Sequence, residues 1–251
     1  RILRGIMQLL QNFELTSWKL PPKWQIVCTA NPEGGDYSVT PLDDAMLTRM
    51  IHVSLTFDAK EWAKWADSAG LDKRGITFIL NRPETVTFKR TTPRTLEQFF
   101  RQIENIDDLE KNLELVQMLG MGTLDDVTVG DFLNFIRDDL TELIDPEEIL
   151  EANDFSQIEE RLKKIGTDEK GNRRIDRLST ICSRIFICLT RENYKPGITD
   201  QKNLCSFLKS ENLPKDLKVG LAMDISRQAS DTIREMLRSD SEVAKLLIES
   251  M

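Results

Sequence analysis

Strand signals occur at only two places in this chain, and both lie in its first 56 residues. Trp24–Ala30 is a short apolar run rich in β-branched residues, bounded by prolines, that stops at Asn31-Pro32. Met50–Leu55 is the second such run. Two short buried strands do not make a stable sheet by themselves. From Asp58 onward apolar residues recur at helical spacing, so the chain is expected to be mainly α, with about ten helices after the strands. The sheet that the two strands need is expected to come from an N-terminal part outside the chain. The opening supports that reading. Ile2, Leu3, Ile6, Leu9 and Leu10 already have helical spacing, no capping residue precedes them, and Arg1 is not an initiator methionine.

Punctuation places the helices. Phe13–Lys23, broken by Pro21 and Pro22, suits a hairpin or loop, and Pro41–Arg49 suits a short helix capped by Thr40. Asp58 caps a helix that carries Trp62 and Trp65, both lid-core candidates by their spacing, and stops near Gly70; Leu71–Asn81 is the next helix, and Pro93 opens another that reaches Ile103. Leu109–Met118 and Val129–Leu140 follow, separated by an expected break at Gly120-Met-Gly122. Asp145-Pro-Glu-Glu148 starts a helix, with acids facing its positive end. Ile175–Thr190, Asp200–Ser210, Leu217–Leu237 and Glu242–Glu249 complete the set. Ile181, Ile185, Phe186, Cys188 and Leu189 leave their helix little polar face, so it is expected to be central and buried, with Leu204, Phe207, Leu208, Leu213 and Leu217 around it.

Composition removes several functional classes. Asp plus Glu outnumber Lys plus Arg by 42 to 34, a net charge of −8 that disfavours wrapping nucleic acid over a broad face. No run of apolar residues is long enough to span a membrane. Cys28, Cys182, Cys188 and Cys205 have no CxxC spacing, and the single histidine, His52, cannot complete a zinc set or serve more than one triad. A reduced, cytoplasmic setting is the simplest for these thiols.

Four features in the first 125 residues stand in a telling order. Cys28-Thr-Ala-Asn-Pro32 is an apolar strand ending in Asn. Val39-Thr-Pro-Leu-Asp-Asp-Ala-Met-Leu-Thr-Arg-Met50 is a helix ending in Arg before the next strand. Thr92-Pro-Arg-Thr-Leu96 opens a lid-like helix, and Leu119-Gly-Met-Gly-Thr-Leu124 is followed by Phe132. The series resembles the C-terminal half of an AAA+ ATPase core of the MoxR/dynein-related branch, over about residues 1–145. Each motif alone is short; their order and spacing carry the resemblance.

The resemblance implies roles for three residues. Asn31 matches sensor 1, the amide that helps place the attacking water, suited to this because it donates and accepts without charge. Arg49 matches the arginine finger, which reaches a nucleotide on the neighbouring subunit. Arg94 matches sensor 2, which touches the β- and γ-phosphates from the lid. It also implies ATP and Mg2+ in the full-length protein, a homo-oligomeric, hexameric ring, a remodelling or chaperone-like activity, and a partner with a von Willebrand factor A domain. The expected organisation is residues 1–57 as the end of the AAA+ α/β core, 58–145 as the helical lid, and 146–251 as an additional all-α domain facing a partner or client.

Two departures qualify that picture. The chain contains no G-x-x-x-x-G-K-[ST] phosphate loop and no metal-binding Asp-Glu strand, so this segment alone is expected to be inactive. Met50 stands where the family has phenylalanine after the finger. The alternative reading is a non-catalytic helical interaction module on a degenerate AAA+ scaffold. The pairs Asp43/Asp44, Asp125/Asp126 and Asp138/Asp139 are adjacent, point about 100° apart on a helix, and read as caps or solvated faces. Cys182 and Cys188 read as core thiols, His52 as a packed or hydrogen-bonded residue, and Arg173, Arg174 and Arg177 as a solvated patch.

Overall fold

The computed structural model describes residues 2–15, 17–30, 44–87, 89–137, 143–168 and 170–248. Among them are fourteen α-helices and two short strands, and the chain divides into two compact units, Arg1–Thr56 and Phe57–Met251.

In the first unit, α1 (Ile2–Asn12) runs into a hairpin of β1 (Glu14–Leu15) and β2 (Trp18–Lys19), antiparallel with Leu15 opposite Trp18. Phe13 makes the corner at φ 58°, a left-handed conformation costly for an aromatic residue, and its carbonyl accepts from Leu20 N at 2.7 Å. α2 is brief, Asp44–Leu47. The expected caps Thr40 and Pro41 lie outside the described residues. Neither Trp24–Ala30 nor Met50–Leu55 is a paired strand, which corrects the expected placement: the only strands among the described residues form the hairpin at 14–19. The reason is physical. A strand exists only when a second backbone takes up its donors and acceptors, and none among the described residues does so here. Ile51 and Leu55 consequently stand 94% and 95% exposed, although their alternation is that of a strand with one buried face.

Among its described residues the second unit has helices as its only extended elements, apart from one isolated bridge of Thr167 with Arg173, and it is built around two apolar clusters. The first gathers α3 (Ala59–Ser68), α4 (Lys73–Asn81), a 3-10 turn (Pro83–Thr85), α5 (Pro93–Ile103), α6 (Leu113–Thr123) and α7 (Asp126–Arg137). Asp58 caps α3 by accepting from Glu61 N at 2.9 Å, and Asp72 caps α4 by accepting from Arg74 N at 2.8 Å. The centre is aromatic: Phe132 meets Phe78 and Phe99 edge-on, with centroids 5.0 and 5.2 Å apart. Trp62 joins this core, whereas Trp65, expected to do the same, is exposed. Gly120 does not break its helix. It sits where a Cβ would come within 3.0 Å of Val129, so the missing side chain lets α6 and α7 approach closely and α6 continues to Thr123.

The second cluster comprises α8 (Pro146–Leu150), α9 (Phe155–Ile165), α10 (Ile175–Leu189), α11 (Ile198–Lys209), α12 (Lys215–Gln228), α13 (Asp231–Ser239) and α14 (Ser241–Ile248). The helix expected over Leu217–Leu237 is two, parted at Ala229 and Ser230; Ala229 packs in the core there in extended conformation. α10 is central, as its all-round apolar pattern requires. Ile181, Ile185, Phe186 and Leu189 enter the second cluster, while Ile187 enters the first. Asn81 Nδ2 donates to Thr180 Oγ1 at 3.3 Å, and the Lys64 ammonium lies 4.8 Å from the Phe186 ring centroid. Arg191, just beyond α10, grips Asp67 of α3 with two bonds of 2.7 and 2.9 Å and Glu147 of α8 with one of 2.7 Å.

Two glycines should respond oppositely to alanine. In α4, a Cβ on Gly75 would fall 2.5 Å from the Phe100 ring, so Gly75→Ala should destabilise by about 1–3 kcal/mol despite its better helix propensity. In α7, a Cβ on Gly130 meets nothing within 4 Å, so Gly130→Ala should stabilise by about 0.5–1 kcal/mol. Urea unfolding of the two variants checks the opposite signs.

Candidate functional site

The start of α5 presents the most deliberately built feature near a sequence-predicted site residue. Thr92 is the N-cap: its hydroxyl accepts from Thr95 N at 3.2 Å, and Thr95 Oγ1 accepts from Thr92 N at 2.8 Å, a reciprocal box with Pro93 at the first helical position. Thr91, fully buried, anchors the approach. Its hydroxyl donates to Asp125 Oδ2, lies 3.0 Å from the Thr128 hydroxyl, and accepts from Asp125 N at 3.2 Å. Asp125 in turn caps α7, accepting from Thr128 N at 2.9 Å and from the Thr128 hydroxyl at 3.0 Å. Burial by itself would raise the Asp125 pKa. Hydrogen bonds from Thr91, Thr128 and Thr87 outweigh it and hold the carboxyl below its ordinary value. The cap reading of Asp125 is therefore correct, and the carboxylate also pins the loop that carries Thr92 and Pro93.

Arg94 is the second residue of this helix, exposed, and without a hydrogen bond or ion pair among the described residues. The positive end of a helix disfavours a cation, and no acid among the described residues pairs with it. A permanently charged, planar donor is thus held on a fixed platform with its hydrogen-bonding capacity directed at solvent.

Arg49 is placed differently. It lies two residues past α2, exposed, with Nη1 donating to the Ala45 carbonyl. Nε and Nη2 donate to Gln11 Oε1 at 3.4 and 3.3 Å, so the guanidinium closes the turn after α2 onto α1. Neither of these contacts neutralises its charge. Asn31 lies outside the described residues. His52 Nε2 is 2.8 Å from the Leu47 carbonyl, which makes it hydrogen-bonded but exposed.

Two groupings were not legible as sites. One is the Thr91–Asp125–Thr128 network, whose members are 34 and 37 positions apart. The other is the ionic junction of Arg191 with Asp67 and Glu147, which borders a cavity of about 20 Å³, room for a single water. Burial pushes the Glu147 pKa up, but the hydrogen bond from Arg191, a backbone hydrogen bond and the charges of Lys73 and Arg191 together outweigh it and hold the carboxyl below its ordinary value. Cys182 and Cys188 are buried, with burial pushing their pKa values up to about 12 and about 11, so they are core thiols and not nucleophiles. Among the described residues no group of three or more His, Cys, Asp or Glu is arranged to hold a metal, and no helix is long and apolar enough to cross a membrane.

The network has a pH signature. Because its hydrogen bonds lower the Asp125 pKa in the folded state, their stabilisation is complete above about pH 4, the unfolded value, and is lost as pH falls through the folded value. Asp125→Asn should cost about 0.5–2 kcal/mol at neutral pH, a capping loss. The wild-type and variant stabilities should converge in urea titrations run at progressively lower pH. No family model, curated protein or solved structure matches the chain.

Proposed function

We propose that this chain is the C-terminal part of a MoxR-like AAA+ ATPase that couples ATP hydrolysis to remodelling of a partner protein. The observation that carries the reading is Arg94: an exposed guanidinium without a partner among the described residues, at the start of a helix fixed by a capping box and a buried threonine–aspartate network. Such an arrangement suits an anion delivered from outside the helical unit, and a nucleotide phosphate matches the planar fork. In this reading Arg94 senses the phosphates in its own subunit, Asn31 orients the attacking water, and Arg49 acts on the nucleotide of a neighbour in a hexameric ring. The phosphate loop and the ligands for Mg2+ belong to sequence outside this chain. The helices after Asp145 face a partner, for which a von Willebrand factor A domain is the family's usual choice, and the four free thiols suit a cytoplasmic setting.

A second reading, a non-catalytic interaction module on a degenerate AAA+ scaffold, is favoured by one observation, the lack of a phosphate-loop motif within these 251 residues.

Measurements on the full-length protein separate the two. Arg49→Ala should lower turnover by on the order of 10³-fold while nucleotide affinity is retained, because the finger acts from the adjacent subunit. Arg94→Ala should weaken nucleotide binding, measured by titration with a fluorescent ATP analogue, whereas Asn31→Ala should spare binding and slow hydrolysis. Unchanged hydrolysis in Arg49→Ala, or equal affinity losses in Arg94→Ala and Asn31→Ala, would overturn the assigned roles. A wild-type protein that neither binds nor hydrolyses ATP would leave the interaction module as the function.

A further inference from the structure

Helix α6 is apolar on both sides. Its inner side packs Val116 and Gly120 against the first cluster. Its outer side carries Leu115, Met118 and Met121, all exposed and within about a third of the helix circumference, with Met118, 63% exposed, at the centre. Gly122 shares that side, and a Cβ there would meet nothing within 4 Å, so the backbone itself is open to close approach. Val127, 76% exposed, opens α7 just after. In Phe57–Met251 seven large hydrophobic residues are exposed among those described, and four of them fall between positions 115 and 127. Apolar residues on the solvent side of a helix as well as on its inner side are normally covered, and a concentration of exposed methionines is typical of surfaces that accept another chain.

The surrounding charge identifies what covers it. Between Glu104 and Asp126 the chain has seven acidic residues and one basic residue, Lys111, whose ammonium is 2.7 Å from Asp108. Glu114 lies within the exposed arc of α6, Glu110 one turn before it, and Asp126 beside Val127. A shallow hollow lined by Glu110, Lys111, Leu113, Glu114 and Leu115 indents the surface at the N-terminal end of the helix. At the other end Arg90 donates to the Met121 carbonyl at 2.7 Å. We propose that the outer face of α6 is a docking site for a basic amphipathic helix of a partner protein, whose apolar stripe lies on Leu115, Met118 and Met121 and whose lysines or arginines meet Glu110, Glu114 and Asp126. The site does not depend on the ATPase reading, since no residue of it has a proposed role toward nucleotide.

The probe is a fluorescent synthetic helix of about 16 residues, four turns, with leucines at i, i+3, i+4 and i+7 and lysines elsewhere, alongside a counterpart with glutamates replacing the lysines. Fluorescence anisotropy with the intact 251-residue chain should show saturable binding of the lysine peptide, weakened by added salt, and none of the glutamate peptide. Leu115→Ser combined with Met118→Ser, and separately Glu110→Lys combined with Glu114→Lys, should each weaken binding by about tenfold or more. Both double variants should melt as the wild type does, because the altered side chains are exposed. Binding unaffected by either double variant would mark a non-specific attraction to the acidic protein and overturn the proposal. So would equal binding of the glutamate peptide, or no binding of the lysine peptide. A concentration-dependent dimer that the Leu115→Ser/Met118→Ser change abolishes would overturn it as well, by assigning the face to a second copy of the chain.

Discussion

Helix α10 is the element on which the Phe57–Met251 unit depends. An α-helix normally buries one stripe and solvates the rest, but α10 sends apolar side chains into two clusters at once. That is stable only if helices close round it from both sides, so α3 and α4 must lie on one flank while α8, α9 and α12 pack elsewhere. Polar contacts reinforce the apolar ones: Asn81 with Thr180, and Arg191 with Asp67 and Glu147. The Arg191 pairs are half-buried, with enough water access to limit the desolvation penalty and enough packing to fix their geometry. A displacement of α3 would therefore act on α8 through rigid, directional bonds instead of through compressible packing alone.

Much of the helical architecture was legible because its signals are local. Asp58 and Asp72 cap the helices they precede, Pro93 and Pro146 stand at first helical positions, and the run through Ile181, Ile185 and Phe186 announces a buried helix. The misreadings have one cause, which is that the deciding contact is remote in sequence. Gly120 and Gly122 look like a helix break, but Val129 on the facing helix needs the space at Gly120. Trp65 has the spacing of a core residue, yet Trp62 takes the inner position and leaves it outside. Ile51, Val53 and Leu55 alternate as a strand does, and alternation states only that a segment can pair, not that a partner backbone is at hand.

The same distinction holds at the site. Thr92, Pro93 and Arg94 are adjacent, so the capped helix start carrying a cation could be read directly. What steadies it could not, since Thr91 reaches Asp125 and Thr128 across two intervening helices. The adjacent carboxylates Asp125 and Asp126 illustrate the limit well: one is drawn into a hydrogen-bond network and the other faces water, and only the fold decides which. Arg49 shows the converse, a charge whose local partners are neutral acceptors, Ala45 and Gln11, and so leave its electrostatic reach intact.

The sulfur chemistry of α10 follows from its position. Cys182 and Cys188 are both buried in the second cluster, about 120° apart around α10, and the thiolate is the reactive form of cysteine. With their protons retained far above neutral pH, both sulfurs are insulated from electrophiles and mild oxidants for as long as the second cluster stays closed. Cys28, exposed in the other unit, has no such shelter and meets an oxidant first. Covalent damage would therefore begin at the periphery, and a modified sulfur on α10 would be a record that the bundle had opened.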